Sequence, residues 1–130
     1  MTIDEHIKFW TDGAKKDLDT AFDVFNIHHF DWAFFIGHLA LEKVLKAIYN
    51  QNTEKITPPK IHNLRKLAEL SKLELNMEQL VFLDKVLLFH IEARYTVEKN
   101  ELFKIATKEF TIENLDKIKE TFSWLMSLIK

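Results

Sequence analysis

Helix breakers are almost missing from this chain. It holds two Gly and two Pro in 130 residues, and the prolines are adjacent at Pro58-Pro59. A sequence so short of punctuation permits long, uninterrupted helices and little else. Apolar residues at 47% are enough to build a sizeable core in a chain of this length, so disorder is excluded. Alternation of the strand type dies out within a few residues wherever it starts.

Apolar spacing predicts the helices one by one. The first runs from about Ile3 to Phe25, with Ile3, Ile7, Trp10, Ala14, Leu18, Ala21 and Phe25 along one stripe. A turn over 26–30 follows, and Asp31 is a candidate cap for a second helix over 32–50. The first half of that helix, Trp32 to Leu41, is apolar nearly all round. It is therefore either the central helix of the fold or one whose outer face meets a second subunit. Trp32, Phe35, Ile36 and Leu39 are the candidates for such a homodimer interface.

A polar connection over 51–61 leads to a short helix over 63–71. Asn76 with Gln79 forms a capping box for a fourth helix, which runs to about Tyr95. Its inward stripe reads Leu80, Leu83, Leu87, Ile91 or His90, and then Arg94. The last helix is capped at Thr111, with a staple between Phe110 and Leu115, and turns Leu115, Ile118, Phe122, Leu125 and Ile129 inward. The predicted architecture is all-α: one domain over 1–130, an up-and-down four-helix bundle with a short additional helix.

Charge and composition narrow the function. No Cys occurs, which removes disulfides, thiolate metal sites and Cys nucleophiles. The formal net charge of −2 offers no global basic field for nucleic acid. The run from Trp32 to Leu41 is half of the roughly 20 residues a membrane span requires. Met1–Trp10 carries Asp4, Glu5 and Lys8, unlike a secretory signal. These features predict a cytoplasmic protein with no membrane partner. The six His show no ligand-type spacing, so no metal and no cofactor is expected.

Arg94 is the residue that most needs an explanation. It is a permanent cation at the end of an apolar stripe, and it requires a carboxylate, helix carbonyls or an anionic ligand. Tyr95 beside it reads as core, with base stacking as the alternative. On the second helix Asp31, His38, Glu42 and Tyr49 form a polar line, with His38 and Glu42 one turn apart. The line is either a satisfied buried network or one wall of a cleft. Glu42 is the candidate carboxylate for Arg94. Lys43 and Lys46 read as a solvated face. His62 reads as the start of the short helix, covering free amides.

The order of these features resembles the HEPN domain family (higher eukaryotes and prokaryotes nucleotide-binding). Trp10, Ala14, Asp17-Leu18 and Ala21 match the first helix of that family. Gly37-His38-Leu39-Ala40-Leu41-Glu42-Lys43-Val44-Leu45-Lys46-Ala47 matches the second, Ile61-His62-Asn63-Leu64 the start of the short helix, and Ala93-Arg94-Tyr95 an Ala-Arg-Tyr signature. Ribonuclease members carry an Arg followed a few residues later by a His. Here no His occurs beyond His90, and Asn100 stands where one would fit. An amide cannot exchange protons as imidazole does. The resemblance thus implies a bacterial, non-catalytic binding module, partner of a small nucleotidyltransferase in a toxin–antitoxin pair. It would bind a nucleotide or RNA phosphate through Arg94, Tyr95, Glu42 and His38. The alternatives are a ribonuclease toxin with a degenerate motif and an oligomeric helical protein without a ligand.

Overall fold

The computed structural model describes residues 1–92 and 107–130. They form five helices and, among the described residues, no strand: α1 (Ile3–Asn26), α2 (Phe30–Thr53), α3 (Leu64–Leu70), α4 (Met77–Glu92) and α5 (Lys108–Ser127). Four long helices and one short one make up the all-α bundle that the apolar spacing predicts.

The centre of the bundle is α2, which packs on α1, α3, α4 and α5. Leu41, Val44, Leu45 and Ile48 are wholly buried along it. Gly37 lets α5 approach: a Cβ built there would lie 3.1 Å from Ile118 Cδ1. This central position accounts for the buried part of the apolar run. Trp32 remains 49% exposed, while Phe35 and Ile36 pack partly buried against the core and Leu39 is half-buried.

Helix ends explain most boundary differences. At the end of α1 the chain turns through His28 at φ 68°, with His28 N–H donating to Phe25 O and His29 N–H to Val24 O. This is a Schellman closure with His where Gly is usual. The chain then enters α2 directly at Phe30, and its N-cap, His29, makes no side-chain cap hydrogen bond. Asp31 therefore lies in the first turn, where it complements the helix dipole, and is not the cap. Lys72, at φ 61°, ends α3 in the same way.

The capping box of α4 is formed: Gln79 N–H donates to Asn76 Oδ1 at 2.8 Å and Asn76 N–H to Gln79 Oε1 at 2.9 Å. For α5 the cap is Thr107, whose hydroxyl accepts from Phe110 N–H, and not Thr111. Thr111 is buried one turn inside, its hydroxyl donating to Thr107 O. Phe110 accordingly sits in the first turn and packs on Phe34 and Phe89, so it is not at the position a staple would need. The buried positions of α4 are Leu83, Val86, Phe89 and His90. Leu80, Leu87 and Ile91 are only half-buried. The stripe is thus rotated from the expected one and carries His90 inward.

Candidate functional site

One turn of α2 separates His38, Glu42 and Lys46, so all three project along one line of the helix. Lys46 replaces Tyr49 in the expected line, and the hydrogen bonds run through neither Asp31 nor Tyr49. Glu42 is buried, and each of its oxygens has a partner. Oε2 accepts from Lys46 Nζ at 3.0 Å, and Oε1 accepts from His62 Nδ1 at 2.7 Å. Lys46 also lies over the Trp10 ring of α1, 5.1 Å from its centroid. Lys43 pairs with Asp17 of α1 at 2.7 Å. The two lysines are therefore tied down and do not form the solvated face expected of them.

His62 leaves the first turn of α3 to Asn63, whose side chain accepts from Lys66 N–H at 3.0 Å. The imidazole turns back to α2 instead. Its backbone carbonyl is held as well, accepting from His38 Nε2 at 2.8 Å. That bond requires the proton of His38 on Nε2, because a carbonyl can only accept. His38 Nδ1 then faces Glu42 Oε1 at 3.9 Å, beyond hydrogen-bond reach.

His38 is wholly buried, and its ring stacks on that of His90 with centroids 3.9 Å apart. His90 also stacks on Phe35 at 4.8 Å, and the ring of His62 lies 5.2 Å from it. Burial, and next the charge that His90 would carry, push the His38 pKa down to about 3, so His38 is neutral near pH 7. For Glu42, burial alone acts to raise the pKa. The hydrogen bonds from His62 and Lys46 outweigh it and hold the carboxyl below its ordinary range.

Of the residues singled out from sequence, His38 and Glu42 come together. Arg94, Tyr95 and Asn100 lie outside the described residues. His62 and His90 belong to the cluster, although sequence spacing gives His62 another role and offers His90 only as an option. Their distance from His38 along the chain hides them. The available signals are the His-Asn-Leu start of α3 and the inward option for His90. Among the described residues no group of His, Asp and Glu has the arrangement of a metal site.

A fold of this kind with a polar knot between its second and fourth helices invites comparison with known proteins. The HEPN domain model matches residues 7–128. The chain belongs to the HEPN domain family. No curated protein matches it in sequence. Among solved structures, the crystal structure of TT1696 from Thermus thermophilus aligns with a TM-score of 0.77 at 17% identity, covering 93% of this chain and 96% of that one. At that identity the likeness establishes the HEPN fold alone. No helix among the described residues is long and apolar enough to cross a membrane.

Proposed function

We propose that this HEPN domain is a binding module that takes a nucleotide or RNA phosphate where α2 and α4 meet, with Arg94, Tyr95, Glu42 and His38 at the site. Its protein partner is a small nucleotidyltransferase, as in toxin–antitoxin pairs. The supporting observation is the buried Glu42, held between Lys46 and His62 beside a neutral, buried His38. Charged groups are costly to bury, and a bundle of this size has no packing need for them. Arg94 follows His90 by four residues in sequence. Co-purification from the native cell, with identification of bound protein and nucleotide, tests the partner. A titration with Arg94→Ala tests the site: weaker binding with an unchanged melting temperature supports it, and unchanged binding with a large stability loss makes Arg94 structural.

One observation favours a second reading, the ribonuclease. A carboxylate-oriented His62 is a base that the Arg-to-His pattern of the family lacks here. Metal-independent RNA cleavage, lost in Arg94→Ala with the fold intact, would favour that reading over the binding module.

A homodimer through Trp32, Phe35, Ile36 and Leu39 is proposed on the half-exposed Trp32, whose ring meets Phe35 edge-on at 5.5 Å. Sedimentation of Leu39→Glu tests it: a dimer undisturbed by the charge rules out this face.

A further inference from the structure

His62 is the most accessible group of the cluster and also the one held at the most points. Its side chain is 59% exposed. Glu42 fixes Nδ1, His38 fixes the backbone carbonyl, and the His90 ring lies alongside. Nothing in the folding of α3 needs this, because Asn63 supplies its cap. The ring is thus aimed, with Nε2 on the side away from Glu42.

The tautomer follows from the partner. A carboxylate only accepts, so the neutral ring carries its proton on Nδ1 and a lone pair on Nε2. A phosphate dianion also only accepts, and the two cannot bond unless the ring gains a proton. Glu42 Oε1, 2.7 Å from Nδ1, is the counter-charge for the imidazolium so formed. The charged and titratable groups facing the ring among the described residues are Glu42, Lys46 and His38 from α2 and His90 from α4. Glu42 and Lys46 cancel, and His38 is neutral. A proton on His62 therefore adds one positive charge to a group in which Glu42 and Lys46 already cancel.

We propose that His62 is a further phosphate contact of this site, binding a phosphate monoester through a protonated Nε2 with Glu42 behind it, so that each phosphate bound takes up one proton. This rests on the phosphate-binding reading above and adds the residue and the proton.

The test is calorimetric titration of the full chain with uridine 5′-monophosphate in two buffers of different ionisation enthalpy. The expected result is net proton uptake approaching one per nucleotide at about pH 8, where ordinary imidazoles are neutral, with affinity falling up to about tenfold per pH unit as pH rises further. His62→Asn should abolish the uptake and weaken binding about 10- to 100-fold, the range for a hydrogen bond to a charged group. Glu42→Gln keeps an acceptor but loses the counter-charge, and should weaken nucleotide binding while uridine binding stays unchanged. Uridine should bind far more weakly than its phosphate. Nucleotide binding without proton uptake, or uptake unchanged in a folded His62→Asn, overturns the proposal while leaving the binding module standing. So does uridine binding as tightly as its phosphate, because the neutral ring then accepts from a donor. Failure of both the nucleotide and single-stranded RNA to bind the folded protein overturns the phosphate-binding reading and this inference together.

Discussion

Leu41 and Glu42 are neighbours on α2 and both are buried, yet their burial has opposite meanings. Leu41 belongs to a continuous core with Val44, Leu45 and Ile48, where each side chain removed from water stabilises the fold. Glu42 lies on the side that meets His62 and Lys46, where removal from water is unfavourable and is offset only by two hydrogen bonds. One side of the helix is what folding needs. The other is what folding tolerates, which is why function is sought there.

The largest effect is expected on the apolar side. Leu45→Ala should cost about 2–5 kcal/mol, measured by urea unfolding, because it opens a cavity in a dry core. Glu42→Ala should cost less, about 1–3 kcal/mol, since exposed His62 can turn to water once its acceptor is lost. A loss from Glu42→Ala equal to that of Leu45→Ala would break the comparison and make the polar side structural.

Acid sharpens the same contrast. The folded pKa of His38 lies at about 3, below its ordinary 6.5. Between these values the unfolded chain holds a proton that the folded one does not. Its contribution is complete above 6.5 and is lost as pH falls toward 3, by up to about 1.4 kcal/mol per pH unit. Glu42 adds to the loss only below its ordinary 4.5. His38→Gln should flatten the stability profile between about pH 6 and pH 5, measured by denaturant unfolding at each pH. A profile as steep as that of the parent would place the acid sensitivity elsewhere.

The smallest effects come from the two glycines. At Gly37 a Cβ would press on buried Ile118, so Gly37→Ala should lose about 1 kcal/mol once its helix propensity is counted. At Gly13 it would meet the flexible Lys43 side chain at 3.3 Å, and Gly13→Ala should be neutral or gain about 0.5 kcal/mol. Thermal melts of the pair separate a close helix crossing from a mere weak point.

The helices are legible in the sequence because their apolar periods are long and few residues interrupt them. Their ends are less so, because His28 and Lys72 adopt the left-handed turns that Gly usually marks. Thr111 reads as a cap on paper, and the structure moves the cap one turn earlier to Thr107, with Phe110 packed on Phe34 and Phe89. At the site, His38 and Glu42 are visible because a helix fixes their spacing. The pairing of Glu42 with His62 is not, because a connection of no regular period joins α2 to α3. His90 is half-visible: the apolar neighbours Ile91 and Phe89 blur which position turns inward.

The central claim is that Glu42 and His38 hold His62 with its proton on Nδ1 and its Nε2 presented outward. Long-range proton–nitrogen correlation of the histidine rings, at about pH 8 where ordinary imidazoles are neutral, reads this directly. The expected spectrum has the His62 proton on Nδ1 and the His38 proton on Nε2, and Glu42→Gln alters the His62 ring signals. A His62 ring with its proton on Nε2, or one exchanging freely between tautomers and indifferent to Glu42→Gln, would contradict that claim.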